Sequence, residues 1–465
     1  MVLVLANVAS RGVTFLATMY LVRYLSVADF GTFNFVFAFT SFFGILSTSS
    51  GVVPVLTREI IRNPEREKVL LGSGFVVQSV TAVGALVLAT ACAFLLGYSV
   101  QTVFLVLLAS TAFLWFVFSV PGVVFYIEQK LGHIAASSLI GNVACALLVL
   151  ALVARRGSLP SFVIATSFGV LLTNLYLLWK VGRERYARLT IDRQVVALLV
   201  RETWPLLVGA ICVQIYQRID QVLLYSIKGG AAIGYYAAAT KLTEILNIVP
   251  VALMSTLYPL LADYHANAPE KYEHYYRLSL RIMGLLAVTA ALPFIIFARP
   301  IITFCFTRNY SAAVPVLQIL AVSVVWRFVE VTYSYILLIA GQQKASTAFQ
   351  ALNAVVNLLM NLVLIPRYGI IGAATATAIS YGVGQFACAA HSPTREVGVA
   401  TIVALVRPIL AGSLAILIMH VVPLPFALTV VVSPAVYLAC LWLVGELRGH
   451  NLRLYRELSA RITGI

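Results

Sequence analysis

The chain predicts an all-α polytopic membrane protein of about 14 transmembrane helices. Composition is the first reason. Of 465 residues, 61% are hydrophobic and only 11% are charged, whereas soluble domains carry about 25% charged residues. Such a surface cannot be hydrated and must face lipid. The second reason is recurrence. Apolar runs near the length a helix needs to cross hydrocarbon have approximate limits 2–23, 32–56, 69–96, 102–127, 134–154, 161–179, 203–227, 234–259, 278–298, 312–338, 346–365, 371–390, 401–421 and 426–445. Each is read as a helix, because a helix satisfies its own peptide groups in lipid. The third reason is an internal duplication, argued below.

The first run is too long for a cleavable signal peptide and lacks a charged leading region. It opens the chain almost directly in a span, which suggests that a short cytoplasmic lead precedes it. The loops set orientation. One set of loops and ends holds 21 Lys and Arg, including Arg58, Arg62, Lys130, Lys180, Arg277, Arg281, Arg395 and Arg407, and the other holds 7. The richer side is expected to be cytoplasmic. Both termini then lie inside a multi-pass protein of the cell membrane, with Arg155 and Arg156 running against the rule. The net charge of +15 follows from the same loops. With no basic patch interleaved with aromatics outside the apolar runs, nucleic-acid binding is not expected. Cys92, Cys145, Cys212, Cys305, Cys388 and Cys440 are widely spaced, without a CxxC pair, and read as small apolar core residues.

The longest cytoplasmic connection contains GRERYARLTIDRQ, between spans six and seven. On either side of it the sequence repeats. Arg11 precedes FGTF at 30–33, and Arg218 precedes IGYY at 233–236. Trp115 leads to Lys130 as Trp326 leads to Lys344. The offsets between matched positions are 207 for Arg11/Arg218, 203 for Gly31/Gly234, 214 for Lys130/Lys344 and 211 for Asn142/Asn353. Six spans per half is an even number, so the halves enter from the same face as parallel repeats, with a cleft between them near the midplane. The expected division is an N-terminal six-helix lobe (1–180), a cytoplasmic linker (181–202), a second six-helix lobe (203–392), then spans 13 and 14 with a basic tail (393–465).

Four cations, Arg11, Arg218, Lys241 and Arg327, sit inside apolar runs. Each is expensive in hydrocarbon, roughly 2.5–3.5 kcal/mol on insertion scales, so each must face protein, water or a ligand. Span 1 places Asn7 and Arg11 at i, i+4. Span 7 sets Gln214, Gln217, Arg218 and Gln221 on one helical face. Asp220 points largely the other way and needs a partner on another helix or a proton. Lys241, Glu244 and Asn247 form a stripe in span 8, and Arg327, Glu330 and Ser334 another in span 10. Lys241–Glu244 and Arg327–Glu330 are either internal ion pairs that ease insertion or part of a polar site. The ladder Asn353, Asn357, Asn361 in span 11 reads first as helix–helix glue. Arg11 and Arg218 lack an acid at i+3 or i+4 and are expected to face the cleft. Arg forks fit phosphate, and a pyrophosphate leaves water only where several donors match its charge. Asp220, Glu244 and Glu330 serve either charge balance or reversible protonation, since a carboxyl in a low-dielectric cavity has a raised pKa.

No HExxH, GxSxG, GxxxxGK[ST] or clustered DxD motif occurs, so neither an enzyme nor a cofactor or metal site is expected. The segments RYLSVADFGTFN at 23–34, IYQRIDQVLLYSIKGGAAIGYYAAATKLTEI at 215–245, NYSAAVPVLQIL at 309–320 and NLVLIPRYGIIGAATATAISY at 361–381 resemble the polysaccharide (O-antigen type) lipid flippases. These belong to the multidrug/oligosaccharidyl-lipid/polysaccharide exporter superfamily. The resemblance runs over essentially the full length. It implies two parallel six-helix lobes in a V shape plus two extra C-terminal helices. It also implies alternating-access transfer of a polyprenyl-diphosphate-linked oligosaccharide from the cytoplasmic to the outer leaflet. The implied partners are that glycan, membrane lipid, H+ or Na+ as coupling ion, and polysaccharide assembly enzymes. Arg11, Arg218 and Lys241 fall in spans that line the diphosphate cavity of such proteins, and Asn7, Gln214 and Gln221 stand beside them.

Lipid II flippases are close competitors but carry denser Arg in spans 1 and 2. Multidrug and toxin extruders have a more acidic cavity, whereas intramembrane cations here outnumber acids four to three. A major-facilitator carrier would have an Asp-Arg-x-Gly-Arg loop where this chain has TREIIRNPEREK. A membrane polymerase or glycosyltransferase would need a sizeable outer loop with acids, and RPIITFCFTRNYS at 299–311 has none.

Overall fold

With no water to take up their peptide groups, the apolar runs close into helices. Every regular element among the described residues is helical. The computed structural model describes residues 2–47, 52–182, 189–422 and 425–447, and leaves aside the side chains of 2–9, 11, 205, 206, 208, 209, 212, 216, 426 and 427. Contacts divide the chain into two units, Met1–Ala237 and Ala238–Ile465.

The first unit contains α1 (Val2–Tyr24), α2 (Val27–Gly44), α3 (Val52–Arg62), α4 (Glu67–Leu95), α5 (Val100–Trp115), α6 (Val123–Ile127), α7 (Leu131–Ala154), α8 (Leu159–Val181), α9 (Arg193–Lys228) and the start of α10 (Gly230–Leu246). Short polar side chains start several of these helices by accepting from otherwise orphaned amides. Ser26 accepts from the Asp29 N–H at 3.1 Å, Ser99 from Thr102 at 3.2 Å and Asp192 from Gln194 at 2.8 Å. Gly229, at φ +82°, ends α9 and turns the chain into α10.

The pattern along α4 shows which solvent the fold is built for. Ala82, Ala85, Ala89 and Ala93 are fully buried, while Val80, Val83, Val87, Leu88 and Phe94 of the same helix are more than half exposed. Small residues face protein, where they let backbones approach, and large apolar ones face lipid. Helix α1 packs on α7, α7 on α8, and α4 and α8 on α5. The duplication assigns α9 to the second half of the chain, yet α9 packs on α2, α3 and α4.

Helix α9 is fastened at both ends. Beside its start, the Asp192 N–H donates to Ser73 Oγ at 3.1 Å. At its far end Tyr225 stacks on Phe35 with centroids 3.8 Å apart and planes 10° from parallel. Tyr98 Oη and Ser226 Oγ are 2.6 Å apart, and Thr102 Oγ1 and Tyr225 Oη 3.1 Å apart. Helices α2 and α10 touch backbone to backbone. A Cβ on Gly31 would lie 1.8 Å from the Gly230 carbonyl oxygen, and one on Gly234 would lie 2.2 Å from that of Val27. Gly31 and Gly234 are the pair matched by the duplication, so equivalent segments of the two repeats meet here.

The second unit holds the rest of α10, then α11 (Ile248–Asn267), α12 (Pro269–Ile296), α13 (Ala298–Phe306), α14 (Ala313–Ile339), α15 (Gln343–Ala390), α16 (Arg395–Val421) and α17 (Phe426–Leu443). Helix α12 packs on α14 and α16, α14 on α15, and α16 on α17, around a core that includes Met254, Leu261, Met283, Phe328 and Ile336. α15 is two arms folded at Gly369, at φ +56°.

Two expected spans are not continuous rods. The run at 32–56 divides into α2 and the separate amphipathic α3, which buries Val52, Val53, Val55, Leu56 and Ile60. Beyond Gly44 the described chain leaves the helix in turns, with the Leu46 and Ser47 N–H groups donating to the Phe43 and Gly44 carbonyls at 3.0 Å. The run at 102–127 tightens into a 3-10 helix over Phe116–Gly122, around Pro121, which has no N–H to give an α-helical bond. Among the described residues ten helical runs are long and apolar enough to cross a membrane. Fourteen crossings are reached only by dividing Gln343–Ala390 at Gly369 and adding α1, α9 and α17, and that number stays an expectation.

The α2–α10 contact leaves no room for a side chain. Gly31→Val is therefore expected to lower stability by about 1–3 kcal/mol or more, read as a lower melting temperature in detergent. A Cβ at Gly84 meets nothing within 4 Å, so Gly84→Ala is expected to raise stability by about 0.5–1 kcal/mol through helix propensity alone.

Candidate functional site

A polar group inside a membrane helix must find a partner, and the partners define the candidate site. In the first unit, Gln214 of α9 donates from Nε2 to Ser41 Oγ of α2. Two turns on, Asp220 is buried, and its carboxylate accepts from the Gln221 N–H at 2.7 Å and from the Tyr236 hydroxyl of α10. The partner that Asp220 needed from another helix is thus Tyr236. Gln221 is buried as well. Arg218 is half-buried between these groups and is engaged by a neighbour of its own.

Gln214, Arg218, Asp220 and Gln221 therefore share one stretch of α9 in the first unit. Lys241 and Glu244 lie on the part of α10 that belongs to the second unit, half-buried, each engaged by a neighbouring group. The side chains of Asn7 and Arg11 lie outside the described residues.

Arg327 and Glu330 of α14 form an ion pair, with Nη1 donating to Oε2 at 2.9 Å. The Glu330 side chain is only 5% exposed, and the Arg327 guanidinium also lies 5.8 Å from the centre of the Tyr381 ring. The two side chains thus form an ion pair within one helix, whichever further role Glu330 has. Removing Glu330 would take one acceptor from a cation that is 27% exposed and also meets the Tyr381 ring, a smaller loss than breaking a fully buried pair.

Asn353, Asn357 and Asn361 are buried on the first arm of α15; of the three, Asn357 bonds across to the second arm, Asn361 bonds within its own arm, and both amide atoms of Asn353 are buried without a hydrogen-bond partner among the described residues. Asn357 donates to Ser380 Oγ at 3.2 Å, and Asn361 to Asn357 Oδ1 at 2.9 Å. Gly384 faces Asn353 so closely that a Cβ there would fall 2.1 Å from its amide oxygen. Among the described residues no group of three or more His, Cys, Asp or Glu could hold a metal ion.

Sequence reasoning missed Tyr236 and Ser41. A signal for Tyr236 was present: at the offset of 203 it stands where the first repeat has Phe33, so the second repeat has gained a hydroxyl opposite a buried acid. Ser41 gave no signal, because a serine in an apolar helix usually bonds its own backbone, and Ser41 also does so, to the Ala38 carbonyl at 2.6 Å.

Tyr236→Phe deletes one donor to a buried carboxylate. It is expected to destabilise the protein by about 1–3 kcal/mol, seen as a lower melting temperature. Asp220→Asn in the Tyr236→Phe background should recover part of that loss, since an amide does not demand the missing donor as a carboxylate does.

Comparison with known proteins agrees with this architecture. Residues 1–265 match the family described as polysaccharide biosynthesis protein, and residues 205–363 match the MatE family. A curated relative, the probable low-salt glycan biosynthesis flippase Agl15 of Haloferax volcanii, is 27% identical over 36% of this chain and 36% of its own length. The chain thus spans about a third of the length of the curated relatives it matches. Among solved structures, the lipid II flippase MurJ in an inward closed conformation superposes with a TM-score of 0.76 at 15% identity, covering 98% of this chain and 99% of that one. An inward-facing multidrug resistance MATE family transporter of the MOP superfamily gives 0.67 at 17% identity, over 83% and 96%. The solved structures establish the fold, and the family match, over more than half of the sequence, establishes membership: this membrane protein belongs to the polysaccharide biosynthesis protein family.

Proposed function

We propose that the protein is a flippase, not an enzyme, and that it carries a polyprenyl-diphosphate-linked oligosaccharide from the cytoplasmic to the outer leaflet by alternating access. Family membership supports transport of a glycan intermediate, and the relative Agl15 is named a probable flippase of glycan biosynthesis. The observation that carries the reading is Arg218. It is a permanently charged fork, half-buried in a membrane helix, beside Gln214 and the buried Gln221. Amide and guanidinium donors of that kind suit a diphosphate, whose charge must be met when it leaves water.

In this reading two six-helix lobes, 1–180 and 203–392, are joined by the linker 181–202 and followed by the additional segment 393–465. Both termini are cytoplasmic, and a cleft between the lobes holds the head group. Arg11, Arg218 and Lys241 contribute its positive charge, with Asn7, Gln214 and Gln221 as further donors. Asp220, Glu244 and Glu330 are the groups at which H+ or Na+ would couple to transport. Enzymes that assemble the glycan would act before and after the transfer. The match of residues 205–363 to the MatE family favours an ion-coupled drug exporter as the second reading, and the MurJ-like fold keeps lipid II as an alternative cargo.

The test is reconstitution in liposomes with defined polyprenyl-diphosphate glycans, scoring leaflet exchange, with lipid II and a cationic drug as parallel substrates. Arg218→Ala is expected to reduce exchange at least tenfold while folded protein is recovered in normal yield. Arg218→Lys should retain partial exchange, since it keeps the charge and loses the fork. Full exchange by Arg218→Ala removes that residue from the site, and uptake of the drug without glycan exchange selects the exporter reading. If Asp220 and Glu244 carry the coupling proton, Asp220→Asn and Glu244→Gln should abolish the dependence of exchange on a pH gradient. An unchanged dependence rules that role out.

A further inference from the structure

Helices α12 and α16 lie side by side and parallel. Gly284 of α12 approaches the Ala404 carbonyl of α16, and Gly412 of α16 faces Val288 of α12. Small residues let the two rods close along their middles, but at their N-terminal ends they part. The gap is a cavity of about 600 Å³. Its polar lining is His274, Arg277 and Arg281 from α12 with Arg395 and Glu396 from α16. Its apolar lining includes Leu278, Val399 and Val403.

Three guanidiniums line one cavity, with Arg395 at the start of α16, whose dipole adds positive potential, and Arg277 and Arg281 two and three turns into α12. Glu396 shares the lining, and Glu273 pairs with Arg277 at 2.8 Å. Three arginines and His274 against Glu396 give the lining a basic character that suits the phosphodiester of a lipid head group.

The surface below the cavity fits the rest of such a molecule. α16 turns Gly398, Ala400, Thr401, Ala404 and Leu405 inward. Its outer face runs Val399, Val403, Val406, Leu410, Leu414 and Leu417, all more than a third exposed. Their spacing of four, three, four, four and three residues keeps them on one face. From Val399 to Leu410 the stripe descends about 16 Å, at 1.5 Å per residue, which is about the depth of one leaflet. A basic cavity opening directly onto an apolar track is complementary to an amphiphile, not to a soluble anion. Basic pockets between membrane helices are where acidic head groups are held.

We propose that this cavity is a binding site for a resident anionic phospholipid of the phosphatidylglycerol type. Its phosphodiester sits among Arg281, Arg395 and His274, and its acyl chains lie along Val399–Leu410. The site is formed within the second unit and does not depend on the identity of the transported molecule.

The experiment is native mass spectrometry of the full-length protein, purified from vesicles of equal phosphatidylglycerol and phosphatidylcholine and then progressively delipidated. Wild type should retain one phosphatidylglycerol, favoured about tenfold over phosphatidylcholine. The Arg281→Gln/Arg395→Gln double variant should lose about thirtyfold in retention. Val403→Gln, which leaves the arginines in place, should shorten retention of the lipid. Glycerophosphoglycerol and inorganic phosphate, added at the concentration of the lipid, should displace nothing. Equal retention of both lipids by wild type, or unaltered retention in the double variant, overturns the proposal. So does displacement by either soluble phosphate, which would make the cavity a simple anion site. Arg395 is exposed, so Arg395→Gln alone supplies the reading if the double variant does not fold; unaltered retention in that variant also overturns the proposal.

Discussion

A polar or charged side chain in hydrocarbon must be answered by another group, and that requirement organises the interior of this protein. In water Asp220, Gln214 or Asn357 could be solvated in any orientation. In a bilayer an unanswered polar group costs several kcal/mol, so each fixes the position of a neighbouring helix. Tyr236 answers Asp220 and joins α10 to α9. Ser41 answers Gln214 and joins α2 to α9. Ser380 answers Asn357 and closes the two arms of α15. The apolar contacts alone could slide, because lipid tails are as apolar as the residues they would replace. The hydrogen bonds supply the register.

Class and element positions were legible in the sequence because bilayer thickness imposes a length and hydrocarbon imposes a composition. The fold of the Gln343–Ala390 run was legible from its two separate apolar runs, 346–365 and 371–390, and the burial of the asparagine ladder from its spacing on one face. The Arg327–Glu330 pair was readable from its i, i+3 spacing, and the two side chains do meet at 2.9 Å. What could not be read were relations between distant segments. Nothing local to α9 announces that it lies against α2, α3 and α4, since any apolar face suits any other. The break after Gly44 was hidden because the segment beyond it is still apolar on average. Of the candidate site, the residues on α9 were identifiable as a polar face. Their partners were not, because serine and tyrosine carry no tertiary preference in their local sequence.

The duplication gains a physical meaning from Gly31 and Gly234. Matched positions in two repeats need not touch, but here both lie at one crossing, α2 against α10. Each glycine makes room for the backbone of the other helix, so the same local motif serves as both sides of a joint. Divergence elsewhere between the repeats, such as Phe33 against Tyr236, is tolerated because it does not fall on the crossing itself. The sequence similarity that survives at FGTF and IGYY is thereby tied to a steric requirement.

The fastenings at the two ends of α9 bear on how the helix that carries Arg218 can deform. One end is held beside Ser73 and the other by the rings of Phe35 and Tyr225. A beam supported at both ends answers a sideways load by bowing, with the largest deflection near mid-span, whereas a beam held at one end swings about its root. A load on α9 is therefore met inside the helix and not at a hinged end, and Pro205, which has no N–H to give its turn, marks where such a rod bends most easily.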